Sequence, residues 1–386
     1  MPALGRESLR TLSAHKRSDN DPLLTEWNKM TRAPILFRVD AAPRLGWEHL
    51  SRCQTLAAAI QRRRRPAYFL SQLEPGSLGL TLKRGGNDWL EACNPAGCPD
   101  DLEETVQEIR RLRPAAVVVD SPDIKEDYLA VLRDTGVLVI ALDSVAHTVF
   151  PSGLVVNPLL APGKEAYEFG RGTQLLLGSR YALVRSEIRR QRPTRAQEPA
   201  QPFRALVALG DDDPHNQSGE LAKRLLNCPK VGRVDVLVRP YHPDLANLQA
   251  LAETCPDRLE IVHENGETPF RIARSHFAVT GGNAWSLELA CVGIPQIVIV
   301  QSETHWPTAQ RLEEEGAATC LGWQANVSAQ TLRQAVTDLL ADPQERQAMA
   351  RCGRQLIDGR GPDRLVTALE VMLHPSRQIH QVALAA

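Results

Sequence analysis

A histidine just past the first strand-like run and a glycine pair just past a late one are the residues of this chain best placed to do chemistry. In "RVDAAPRLGWEHLSRCQTLA", residues 38–57, an apolar run ends in a polar turn and resumes with helical spacing, so His49 falls at or near a helix start. The positive end of a helix disfavours the imidazolium and leaves a neutral ring able to accept a proton, as a general base must. A capping or partly buried structural histidine is the plainer use of the same position. In "FAVTGGNAWSLELACVGIP", residues 277–295, a strand feeds Gly281 and Gly282 and then a helix. Bare backbone N–H groups beside a positive helix end can hold a phosphate, and Glu288 offers two acceptors for the paired hydroxyls of a ribose. A tight strand-to-helix turn followed by a solvated glutamate fits the same letters.

Two further loops follow strands. "ALVALGDDDPHNQSGEL" places Gly210 at a strand end and Ser218 as an N-cap, but Asp211, Asp212 and Asp213 repel phosphate unless they cap backbone groups, so this loop reads as a cleft wall. "QSETHWPTAQRLEEEGAA" carries Glu303, Thr304 and His305, fixed donors and acceptors of the kind that bind sugar hydroxyls, or an ordinary polar loop. Arg52 lies one turn after His49 and reads equally as a salt-bridged charge. The run "RRRR" at 62–65 ends a helix before Pro66, where cations suit the helix dipole.

These residues need a scaffold that gathers strand ends. The chain has 386 residues, enough for two domains, with 43% hydrophobic and 24% charged residues, the balance of a globular protein. Forty-five basic residues against 46 acidic ones give no global field for nucleic acid. No apolar stretch reaches the roughly 20 residues of a membrane span. Eight scattered cysteines without a leading apolar segment suggest a reducing cytoplasm, and Cys93 and Cys98 around "NPAG" lack the partners of a zinc set, so no metal is expected.

Residues 1–33 read as a flexible extension. From Pro34 short β runs alternate with helices to about residue 185: "ILFRVD", a helix from about Leu50 to Arg64, "AYFLS", a helix near 101–112, "AAVVVD", a helix to about Arg133, "VLVIALD". Residues 186–203, rich in Arg, Gln and Pro, mark a linker, and a second alternation over 204–375 ends in helices from about Ala329 to Leu373 that close the second domain, leaving 376–386 as a tail. The expected fold class is α/β, two Rossmann-like, doubly wound domains facing across a cleft, with ligands at the carboxyl ends of both sheets.

The ordered set "RVDA…G…H…RC.TLA", "VVVD", "VVNP" at 155–158, "LLLGSRYALVRSEI" at 175–188, "LG..DP.N" and "TGGNAWSLELACVGIP" followed by "EEGAA…LGW" resembles the nucleotide-sugar hydrolases of pseudaminic acid biosynthesis. These are UDP-2,4-diacetamido-2,4,6-trideoxy-β-L-altropyranose hydrolases, related to the spore-coat protein SpsG and more distantly to MurG. The similarity covers roughly residues 35–325. It implies a GT-B fold, no metal or cofactor, a UDP-sugar as the small-molecule partner, and cleavage of the anomeric C–O bond by water that His49 activates. It puts Gly281, Gly282 and Glu288 on the UDP, with Gly210, Asn283 and Ser286 beside them, and Asp40, Arg52, Thr304 and His305 on the sugar. The chain departs from the family pattern at Glu48, where a glycine usually precedes the histidine, at Pro122, where a tyrosine is usual, and at Thr304–His305, in place of an Asn-Gln pair. Transfer to an acceptor, or nucleotide-sugar binding without turnover, are the alternatives these departures open.

Overall fold

The computed structural model describes residues 32–374 apart from 152, 211, 212, 214, 264 and 265, so residues 1–31 of the expected extension, and the expected tail, lie outside the described residues. The first lobe is built on β1 (Ile35–Val39), α1 (Glu48–Gln61), β2 (Ala67–Ser71), α2 (Ser77–Arg84), β3 (Asp88–Glu91), α3 (Pro99–Leu112), β4 (Ala116–Asp120), α4 (Glu126–Asp134) and β5 (Leu138–Leu142). It continues with β6 (Val149–Phe150), β7 (Leu154–Asn157), β8 (Glu168–Phe169) and β9 (Gln174–Leu177). Seven strands pair in the order β3-β2-β1-β4-β5-β7-β9, all parallel, while β6 and β8 form a separate pair. β1 and β4 are buried along their whole length, which is why they read as unbroken apolar runs and not as alternating ones. The strands β3, β7 and β9 were not legible as elements; β3 is a half-exposed edge strand, "DWLE", with no apolar run to mark it.

The second lobe runs through α5 (Ser186–Arg189), β10 (Phe203–Ala208), α6 (Ser218–Leu226), β11 (Val231–Val238), α7 (Leu245–Thr254), β12 (Leu259–His263), α8 (Thr268–Arg274) and β13 (Phe277–Thr280). It closes with α9 (Ala284–Val292), β14 (Gln296–Val300), α10 (Trp306–Glu314), β15 (Thr319–Trp323), α11 (Ala329–Ala341), α12 (Pro343–Leu356) and α13 (Gly361–Leu373). Its six parallel strands are ordered β12-β11-β10-β13-β14-β15. α9 is buried on every side, as its mostly apolar sequence requires, with its two polar side chains Ser286 and Glu288 hydrogen-bonded, and stops at Gly293, which adopts φ +87° and lets its own N–H and that of Ile294 close on Leu289 O.

Two sequence expectations change. The last helix does not close the second lobe: Leu365, Val366 and Leu369 of α13 belong to the apolar core of the first, and Arg62–Asp363 and Arg65–Glu370 ion pairs tie it to the end of α1. The segment 186–203 is docked, not a free linker: Ile188 and Arg195 are buried, and Arg192 donates to Cys291 O and Ile357 O, the carbonyl ends of two helices. Guanidinium groups there satisfy helix C-termini, a use that composition does not announce. The described residues from Ala33 onward form one compact unit.

Candidate functional site

Both sheets reverse strand order at a central pair, and a cleft opens outside the carboxyl ends of such pairs. In the first lobe the pair is β1 and β4, with Val39 opposite Asp120. The chain leaving β1 enters α1 and delivers His49, while β4 ends on Asp120, so the reversal brings the two together: His49 Nδ1 lies 2.6 Å from Asp120 Oδ1. Asp120 also takes Arg52 Nε at 2.6 Å and Nη2 at 2.5 Å, and Arg52 reaches Ser144 Oγ at 3.0 Å. Burial alone would push the Asp120 carboxyl up, but Arg52 and His49 hold it well below the usual carboxylate range. An ionised carboxylate only accepts, so Nδ1 carries the ring proton and Nε2 is left as the acceptor. The result is a histidine whose tautomer is set for base chemistry and whose side chain is 23% exposed; it stands beside the pocket, next to Glu48 and Arg52, and is not among the residues that line it.

In the second lobe the central pair is β10 and β13, with Ala208 opposite Thr280, so Gly210 and the Gly281–Gly282 turn are neighbours. A Cβ on Gly281 would stand 2.7 Å from Leu209 O, and one on Gly210 would stand 2.4 Å from Asn283 Nδ2, so both glycines are needed for close packing of the two loops. Two amides of the turn are committed. Gly282 N donates to Ser286 Oγ at 3.1 Å, and Asn283 caps α9 by accepting from Trp285 N at 3.2 Å while its Nδ2 donates to Leu209 O at 2.7 Å. Gly281, Gly282, Asn283 and Ser286 are buried, and the open face of the helix start belongs to Ala284, whose first-turn amide has no partner inside its own helix.

A pocket lies between these two places, lined by Glu48, Ser51 and Arg52 of α1, by Arg185 and Arg239, and by Asn283, Ala284, Trp285 and Glu288 around the start of α9. Glu288 is 5% exposed and accepts from Arg185 N at 2.8 Å, Nε at 3.0 Å and Nη2 at 2.5 Å. Its carboxylate is therefore occupied by Arg185, which also stacks over Trp285 with its guanidinium carbon 4.3 Å from the ring centroid. A ribose reaching Glu288 has to share it. A second, larger and open depression adjoins, running along α1 past Gln54, Ala58 and Arg62.

The remaining expected residues divide. Asp40 does not reach the cleft: it is buried, paired with Arg38, and accepts Gln72 N and Ala96 N at 2.8 Å each, tying the loops after β2 and β3 to the end of β1. Arg52 lines the pocket, yet its guanidinium serves Asp120. Thr304 is exposed and bonds Ser302 at 2.9 Å, whereas His305 Nε2 faces Glu48 Oε2 at 3.7 Å across the cleft. Asp213 caps α6 by accepting Gln217 N at 2.9 Å and Ser218 N at 2.8 Å, which is the role that removes its repulsion; Ser218 is the first residue of the helix, not its cap. Sequence reasoning missed Asp120 and the arginines Arg185 and Arg239 as site residues. A carboxylate closing the otherwise apolar "VVVD" is the signal that was there for Asp120. Among the described residues no cluster of His, Cys, Asp and Glu is arranged to hold a metal ion, and no helix is long and apolar enough to cross a membrane.

This geometry can be set beside known proteins. No family model matches the chain. The spore coat polysaccharide biosynthesis protein SpsG of Bacillus subtilis is 23% identical over 167 residues, 43% of this chain and 49% of that protein. An uncharacterised protein of Methanocaldococcus jannaschii is 21% identical over 213 residues, 53% of this chain and 44% of that protein. The chain spans about half the length of the curated relatives it matches. Among solved structures, Acinetobacter baumannii MurG superposes with a TM-score of 0.59 at 15% identity, covering 87% of this chain and 99% of that one. The spinosyn rhamnosyltransferase SpnG gives 0.62 at 17% identity, covering 87% of this chain and 100% of that one. The fold is GT-B. SpnG has also been solved with thymidine diphosphate.

Proposed function

We propose that this GT-B protein acts on a nucleotide-activated sugar and that His49 takes the proton from the hydroxyl that attacks the anomeric carbon. The observation that carries the reading is the 2.6 Å contact of His49 Nδ1 with a buried, ionised Asp120, which leaves Nε2 free to accept. The diphosphate would lie over the amide of Ala284, between Arg185 and Arg239. With water as nucleophile, a C–O bond forms at the anomeric carbon, the bond to the β-phosphate oxygen breaks with its electron pair leaving on the nucleotide, and His49 holds the proton. The products are free sugar and UDP, and the resemblance makes a UDP-linked diacetamido-trideoxy sugar the first substrate to try. Eight unpaired thiols support a reducing, cytoplasmic setting for that chemistry.

Transfer to an acceptor hydroxyl is the second reading, favoured by the second, open depression beside the pocket, which offers an acceptor a place next to it. The test is nucleotide release from that UDP-sugar and from a panel of UDP- and TDP-sugars, with and without acceptors, followed by product analysis. Expected is release by the wild type and a fall of about 10²–10⁴-fold in His49→Ala, the usual contribution of a positioned base. No release from any sugar by the wild type, or full release by the variant, overturns the reading; a free reducing sugar or a glycoconjugate decides between hydrolysis and transfer.

A further inference from the structure

Three contacts cross from the second lobe to the single turn of α1 that carries His49. Tyr241 packs on Trp47 with ring centroids 4.5 Å apart, His305 Nε2 lies 3.7 Å from Glu48 Oε2, and Arg239 donates to Ser51 Oγ. The aromatic and arginine contacts are insensitive to pH near neutrality; the Glu48–His305 contact is not. Both of its side chains are mostly buried, 29% and 16% exposed, so their attraction is screened less than that of a surface pair.

We infer that His305 is a positioning residue for His49: as an imidazolium it holds Glu48 from across the cleft, fixing the helix turn that presents the base, so the assembled site depends on the His305 proton. This rests on the proposed role of His49. Burial alone would raise the Glu48 carboxyl, but His305, then Arg52 and His49, bring it down to about 2, so it is charged throughout the working range. Arg52 is already bound to Asp120, whereas His305 faces Glu48 from the second lobe. Besides His305, the charged groups acting on Glu48 are Arg52 and His49 of α1, and Glu303 lies on the same turn as His305. His305 Nδ1 is buried without a hydrogen-bond partner among the described residues, a cost to the imidazolium that the attraction of Glu48 at Nε2 has to offset.

The sign follows. The pair is attractive from the pH at which Glu48 ionises up to the pH at which His305 loses its proton, and it is lost above that. The test measures kcat and KM over about pH 5 to 10 for the wild type, His305→Gln and Glu48→Gln, and follows the His305 imidazole by NMR over the same range. Expected is an alkaline limb in the wild-type kcat that is absent in His305→Gln, whose kcat is roughly three- to thirtyfold lower with KM little changed, the size of a misplaced base and not a missing one. Glu48→Gln should move the alkaline limb and the His305 NMR titration together to lower pH, because the imidazolium loses its anion. An unshifted His305 titration in Glu48→Gln, or an unchanged alkaline limb in His305→Gln, overturns the inference while leaving the function standing. Absence of turnover by the wild type at every pH overturns the function instead, and the NMR titration then still reports whether the two side chains are coupled.

Discussion

Asp120 does two jobs for His49. Its charge dictates which ring nitrogen keeps the proton, and its second oxygen anchors Arg52, which is fixed in turn to Ser144. Asp120→Asn keeps the shape and removes the charge, so the amide no longer compels Nδ1 to donate. The expected outcome is a loss of activity on the order of 10² or more with substrate affinity largely retained. Stability should also fall, by about 3 kcal/mol or more, because a buried arginine loses its counter-charge. Steady-state kinetics and urea unfolding separate the two effects. Because the Asp120 carboxyl sits below its ordinary range when folded, its stabilisation is present above that range and fades as pH falls through the folded value; Asp120→Asn should flatten the acid side of the stability curve. Asp40 is the contrasting carboxylate. It lies at the end of the same first strand, but two loop amides and Arg38 claim it before the cleft can.

At the scale of elements, the strand-order reversals do the assembling. β1 and β4 are adjacent in the sheet and 71 residues separate the two side chains they bring together. α9 is pinned from both ends, by the Asn283 cap and by Gly293, and its mostly apolar surface, with Ser286 and Glu288 satisfied by hydrogen bonds, lets it sit inside the second lobe with its start facing the pocket. α13 shows the opposite principle, an element packed far from its neighbours in sequence. Leu369 is 2% exposed inside the first-lobe core. Leu369→Ala is expected to cost about 2–5 kcal/mol. Hydrogen exchange should show the loss of protection in β1 and β4 and not in β13 or α9. Loss confined to the second-lobe strands would contradict the packing described.

For the whole molecule, the cleft joins lobes whose cores are separate, and a ligand touching both should stabilise the closed arrangement. UDP at 100 times its dissociation constant is expected to add about 2.7 kcal/mol to unfolding. A thermal melt with and without nucleotide reads this directly, and Arg239→Ala should shrink the shift because that side chain lines the pocket and also bonds α1. A melt unmoved by UDP and TDP alike would mean that the pocket takes another ligand.

The alternation of buried apolar runs with amphipathic helices was enough, on its own, to specify two doubly wound lobes, because parallel strands covered on both faces have to be apolar throughout. His49 at a helix start and glycines at a strand end were legible for the same local reason: their positions follow from a few neighbouring residues. What local reading could not reach was who else wants the same side chain. Arg185 takes Glu288, Ser286 takes the Gly282 amide, Arg52 and His49 share Asp120, and the last helix prefers the first lobe. Each of these is a competition between groups far apart in the chain, decided by which strands lie side by side and how deeply each charge is buried, and only the folded molecule brings the competitors within reach of one another.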